Sequence, residues 1–121
     1  MAPLRIVSVS YERKLMELRS QVLRLAGYAV DETHTLDDAL RLAQTDAVDM
    51  LLICDSVPRP EQRWLISQVH EKRRLLPVLC IGNQSYVSST DGCVGIENTP
   101  AALLDAVKLA TQPSVGFHHG K

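Results

Sequence analysis

The sequence predicts an α/β domain in which helices cover both faces of a parallel sheet. Short apolar segments rich in β-branched residues alternate with amphipathic segments along most of the 121 residues. The segment VDMLLICD, residues 48–55, contains a continuous apolar run, which indicates a strand buried on both faces. Such alternation is typical of parallel sheets with helical crossovers, and the length fits one domain.

The first half of the chain contains two strand–helix units. Residues 4–10, LRIVSVS, are short and β-branched and predict the first strand. The helix after it ends at Gly27, and its apolar residues recur at helical spacing, namely Leu15, Leu18, Val22 and Leu25. A second strand is predicted in residues 28–33 and a second helix in residues 33–47. Thr35 is the candidate N-cap of that helix, with Asp38 in the capping-box position.

The second half continues the alternation after the strand in residues 48–55. Pro58 and Pro60 precede a helix, which Pro fits at its first turn. The predicted elements that follow are a helix over 61–76, strands over 77–82 and 93–96, and a helix over 100–110. We expect one domain over residues 1–112 and a disordered C-terminal tail over 113–121, where periodicity is absent.

Composition excludes several classes of partner. The formal net charge is −1, so no bulk field favours nucleic acid or an anionic membrane. The aromatic share of 4% disfavours single-strand binding by base stacking. No run is long enough to span a bilayer and no signal peptide is apparent, so we expect a cytoplasmic protein.

The cysteines and histidines do not form a metal-binding pattern. Cys54, Cys80 and Cys93 each lie in an apolar stretch without a CxxC spacing, which predicts buried free thiols. His118 and His119 are adjacent in the polar tail. We therefore expect no metal site and no cofactor.

The candidate site lies at one edge of the predicted sheet. In sheets of this type, functional crevices lie beyond the carboxyl ends of the strands. The residues at those ends are Ser10 and Tyr11, Cys54 and Asp55, Gly82 and Asn83, and Ile96 and Glu97.

Three stretches, in this order and at these distances, resemble the receiver domains of response regulators in two-component signalling. They are RIVSVSYERKLMELRSQVLRLAGYAV, VDMLLICDSVP and LLPVLCIG. The resemblance covers roughly residues 4–110 and implies a CheY-like, flavodoxin-like fold of three layers. It implies a five-stranded parallel sheet in the order 2-1-3-4-5. In this chain the helix between strands 4 and 5 is expected to be shortened or missing, because only residues 82–92 are available for it.

The resemblance also implies which positions would carry the family's chemistry. In receivers an aspartate after the third strand accepts a phosphoryl group, and two acidic residues after the first strand hold Mg²⁺. Pro58 stands four residues after Cys54, which places Cys54 at the acceptor position. Counting back from Gly27 places the acidic pair at Ser10 and Tyr11.

The family's remaining working residues are a hydroxyl after the fourth strand and a lysine after the fifth. Their positions fall on Gly82 and Ile96, the second by a looser alignment. All the working positions are thus substituted. The chain therefore resembles a degenerate member of the family, a pseudo-receiver, which is not an enzyme and acts through a protein partner or a second copy of itself.

Two alternatives remain open at this point. One residue of slippage would make Asp55 the phosphoacceptor of a functional receiver. Alternatively, Cys54 would serve a small thiol enzyme, since CDSVPR is one residue short of the C-x5-R loop of cysteine phosphatases. That loop needs converging backbone N–H groups, and Pro58 removes one of them.

Overall fold

The computed structural model describes residues 3–82, 94–96 and 99–111. Its strands are β1 (Arg5–Val9), β2 (Ala29–Thr33), β3 (Met50–Ile53), β4 (Val78–Ile81) and β5 (Val94–Ile96). The first four are parallel and lie in the order β2-β1-β3-β4, which confirms the predicted order of these strands. The three-residue β5 pairs with β4, also in parallel.

Helices follow the strands in the predicted alternation. They are α1 (Arg13–Leu25), α2 (Leu36–Ala43), α3 (Arg59–Lys72) and α4 (Pro100–Thr111). The predicted N-cap of α2 is confirmed, because the Thr35 hydroxyl accepts the backbone N–H of Asp38 at 3.1 Å. This helix is shorter than the predicted span of 33–47 since Thr33 belongs to β2 and Thr35 to the cap.

The third helix also differs from its predicted span. The sequence predicts it over residues 61–76, whereas α3 ends at Lys72. Arg73 has φ −129° and ψ 77°, which are not helical values. Its guanidinium donates to the carbonyl oxygens of Thr45 and Val48, at 2.7 Å and 2.6 Å. These hydrogen bonds to the segment before β3 favour the end of α3 at Lys72, before the predicted residue 76.

The core lies on both faces of the sheet. Met50, Leu51, Leu52 and Ile53 of β3 are each 0% exposed. Their side chains alternate between two clusters, with Leu51 and Ile53 in one and Met50 and Leu52 in the other. The first cluster includes residues of α2 and α3, and the second includes residues of α1 and α4. The predicted burial of this strand on both faces is therefore confirmed.

Two predictions fall on residues that the structure leaves undescribed. The shortened helix between strands 4 and 5 is predicted within residues 82–92, of which 83–92 are undescribed, and the disordered tail concerns residues 113–121. Within the described ranges, no helix combines the length and the apolar character needed to cross a membrane.

The burial of β3 predicts a large difference between two Leu→Ala variants. Leu52→Ala should lower the free energy of unfolding by about 2–5 kcal/mol, because it removes buried methyl groups and leaves a cavity. Leu75→Ala is the matched control, since Leu75 is 94% exposed and its loss should stay within about 0.5 kcal/mol. Urea unfolding of both variants measures the difference, and equal losses would contradict a β3 covered on both faces.

Candidate functional site

The carboxyl ends of β1, β3 and β4 meet at one edge of the sheet and bring several predicted residues together. The backbone N–H of Cys54 donates to the Val9 carbonyl at 3.0 Å, which joins the ends of β3 and β1. Asp55 then contacts Gly82 at the end of β4. Ser10 follows β1 directly and is fully buried. The structure thus brings Ser10, Cys54, Asp55 and Gly82 together at this edge.

Cys54 occupies a core position. Its side chain is 0% exposed and packs in the cluster that contains Met50 and Leu52. Its Sγ lies 3.8 Å from the Ser8 hydroxyl oxygen. Burial raises the pKa of the Cys54 thiol, and the guanidinium of Arg19 opposes that effect only in part. A buried thiol that resists ionisation is a poor nucleophile.

Asp55 is partly exposed and forms an ion pair that the sequence did not reveal. Its Oδ1 lies 3.3 Å from Nη1 of Arg19, in the middle of α1. The Arg19 side chain is only 9% exposed, whereas that of Asp55 is 37% exposed. A signal was present in the sequence, because Arg19 shares a helical face with Met16 and Leu23, which are both in the core.

Ser10 joins a neutral hydrogen-bond network with Ser56, another residue missed from the sequence. The two hydroxyl oxygens are 3.0 Å apart. The backbone N–H of Tyr11 donates to the Ser56 hydroxyl at 2.8 Å, and that of Glu12 donates to the Ser10 hydroxyl at 3.0 Å. Hydroxyl groups thus hold the loop after β1 against the loop after β3, without a carboxylate.

The Tyr11 side chain forms a hydrogen bond with α3. Its hydroxyl donates a hydrogen bond to the carboxylate of Glu61, in the first turn of that helix. Partial burial and the Glu61 carboxylate raise the pKa of Tyr11 to about 12, so its phenol is neutral at physiological pH. A neutral phenol that donates to Glu61 cannot replace an acidic metal ligand.

Of the remaining predicted positions, Asn83 and Glu97 lie outside the described residues, and Gly82 and Ile96 are at the ends of β4 and β5. Gly82 has φ +136°, a conformation that L side chains rarely adopt. A Cβ atom there would lie 3.1 Å from the Asp55 Cβ, closer than an ordinary van der Waals contact. This backbone therefore disfavours the serine or threonine that the family resemblance implies. Ile96 ends β5, where its backbone is in register with Ile81.

The donor set does not fit the Mg²⁺ ion that the resemblance implies. Mg²⁺ prefers carboxylate oxygens and water, arranged as an octahedron. Here the positions of the acidic pair hold Ser10 and Tyr11, and the Asp55 carboxylate is paired with Arg19. Among the described parts of the chain, no cluster of three or more His, Cys, Asp or Glu side chains could hold a metal ion.

Comparison with known proteins gives a fold-level match. No family model and no curated protein matches the sequence. A structure described as a response regulator from Chloroflexus aurantiacus has a TM-score of 0.79 at 23% identity, covering 90% of this chain and 98% of that one. A response regulator receiver domain from Clostridium thermocellum also has a TM-score of 0.79, at 14% identity, covering 89% and 94%.

The chemotaxis response regulator CheY4 of Vibrio cholerae gives a third match. Its TM-score is 0.76 at 18% identity, covering 89% of this chain and 98% of that one. At these identities the comparisons establish the fold. The chain has the α/β flavodoxin-like architecture of CheY-like receiver domains, as the sequence predicts.

The contact between Gly82 and Asp55 predicts an unequal effect of two Gly→Ala changes. Gly82→Ala should lower the free energy of unfolding by about 1–3 kcal/mol through backbone strain, with a further loss from crowding at Asp55. Gly27→Ala is the control, because Gly27 has φ +101° but nothing within 4 Å of its added Cβ. Thermal or urea unfolding should show the larger loss at Gly82. A loss no greater than that at Gly27 would contradict the close approach of β4 to Asp55.

Proposed function

We propose that this chain is a receiver-like domain of two-component, phosphorelay-type signalling that acts by protein–protein recognition without phosphoryl transfer. The fold match to response regulators and receiver domains supports the signalling class. Receiver domains are signalling modules and not enzymes, in agreement with the expectation from the sequence. The proposal assigns residues 1–112 to the domain and places it in the cytoplasm.

One observation carries the proposed loss of phosphoryl transfer. Where the family resemblance implies an acidic pair, the structure has Ser10 in a hydroxyl network with Ser56. Phosphoryl transfer depends on positive charge that neutralises the developing negative charge at the acceptor, usually through a bound metal ion. Because hydroxyls in mutual hydrogen bonds attract a divalent cation weakly, we infer that this site does not assemble such a centre.

The first alternative function is a receiver that is phosphorylated on Asp55. Its carboxylate is partly exposed at the end of β3 and next to Gly82. In the proposed function this carboxylate serves as the partner of Arg19 rather than as a nucleophile. The rival thiol enzyme is not favoured, because Cys54 is buried and its pKa is raised.

The proposed partner is a protein, either another signalling component or a second copy of this chain. Receiver domains interact with signalling proteins, and the exposed apolar side chains of α1 offer a surface for such contacts. Leu18 is 59% exposed and Leu25 is 89% exposed on that helix. The formal net charge of −1 favours neither nucleic acid nor an anionic membrane as a partner.

Beryllofluoride tests the proposal directly, because BeF₃⁻ mimics a phosphoryl group on an aspartate that is supported by Mg²⁺. Amide NMR spectra of the protein should not change specifically when Mg²⁺ and beryllofluoride are added. The control is the same titration of the Asp55→Asn variant. A saturable shift near Asp55 in the wild type that vanishes in this variant would show a functional receiver and overturn the proposal.

A further inference from the structure

We propose that Arg19 is the resident counter-ion of Asp55, so that this site carries a tethered cation in place of a metal ion. We further infer that the pair fixes α1 to the carboxyl ends of β3 and β4. This inference does not depend on the proposed signalling role, since it concerns how the chain neutralises its own carboxylate. The following contacts support it.

The first support is the burial of the Arg19 charge. The Arg19 side chain is only 9% exposed. Moving its charge out of water is costly unless an opposite charge lies beside it. Asp55 supplies the compensating charge through the contact of 3.3 Å. The two residues are 36 positions apart, so the pair joins the middle of α1 to the end of β3.

The second support is that two other acids of the described residues, Asp31 and Glu61, have partners of their own. Asp31, in the middle of β2, pairs with Arg5 at the start of β1, away from this edge. Glu61, at the start of α3, accepts the hydrogen bond from Tyr11. Within the described ranges, Asp55 is the carboxylate that lies 3.3 Å from the Arg19 guanidinium.

The third support is the position of Arg19 between two parts of the molecule. Its guanidinium reaches Asp55, while the residue also lines an apolar groove of about 160 Å³. The groove lies between α1 and α4, and its other lining residues include Leu15, Leu18, Val22, Ile81 and Leu103. Because one side chain contributes to both places, the ion pair sets where α1 lies relative to the strand ends and to α4.

Gly82 lies next to Asp55 after the end of β4. Its missing Cβ lets the end of β4 approach the Asp55 Cβ, where a built Cβ would be at 3.1 Å. Asp55 is therefore bounded by Arg19 on one side and by β4 on another. A carboxylate that is paired with a guanidinium is already neutralised, which disfavours metal binding.

Paramagnetic Mn²⁺ probes whether Arg19 occupies the cation's place. In the wild type, micromolar Mn²⁺ should broaden the amide signals of Asp55 and Gly82 only weakly. In Arg19→Met, which keeps an apolar stem, the broadening should increase about fivefold, as expected when one charged neighbour of a partly exposed carboxylate is removed. The broadening should disappear again in the Arg19→Met, Asp55→Asn double variant.

Arg41→Met is the matched control, because it removes an exposed arginine that pairs with Asp38 at 2.9 Å. That change should leave the Mn²⁺ broadening at Asp55 and Gly82 at the wild-type level. Equal broadening in the wild type and in Arg19→Met would overturn the proposal. The result is independent of the beryllofluoride titration, which tests phosphoryl chemistry in the unmodified site.

A second measurement applies even if Arg19→Met does not fold. Asp55→Asn should lower the thermal midpoint by more than Asp38→Asn, because the former leaves a buried guanidinium without its carboxylate. Asp38→Asn breaks an exposed pair with Arg41 and should shift the midpoint little. Equal shifts in these two variants would show that Asp55 does not compensate the buried charge, which also overturns the proposal.

Discussion

The burial of β3 on both faces is the constraint on which the rest of the molecule depends. Its four residues, Met50–Ile53, have no exposure, so helices must cover the sheet on each side. Parallel strands then need crossovers, which place the carboxyl ends of β1, β3 and β4 at one edge. The position of Cys54 and Asp55 beside Ser10 and Gly82 is a consequence of that geometry.

At this edge, a guanidinium of the chain neutralises the charge of the Asp55 carboxylate. Two loops are held by the hydroxyls of Ser10 and Ser56, and the carboxylate of Asp55 faces the guanidinium of Arg19. The hydroxyl network is uncharged and the Asp55 carboxylate is already neutralised, so both attract a divalent cation weakly. In the proposed account, the loops after β1 and β3 fix α1 and the strand ends instead of forming a phosphoryl-transfer site.

The sequence predicted the elements and their order because hydrophobic periodicity and capping are local signals. It also predicted that Cys54 lies at the carboxyl end of a buried strand, although the strand predicted over 48–55 is confined to Met50–Ile53. Arg19 and Ser56 were missed because their roles depend on contacts across the fold, 36 and 46 positions away in the chain. The early end of α3 at Arg73 has the same cause, since the guanidinium of Arg73 reaches carbonyl groups before β3.

Intact-mass measurement tests most directly whether this site has lost phosphoryl transfer. The protein would be incubated with acetyl phosphate and Mg²⁺, beside an active receiver domain as positive control and Asp55→Asn as negative control. We expect the mass of this protein to stay unchanged while the active receiver gains one phosphoryl group. A phosphoryl adduct on this protein that is absent from Asp55→Asn would contradict a recognition domain without phosphoryl chemistry.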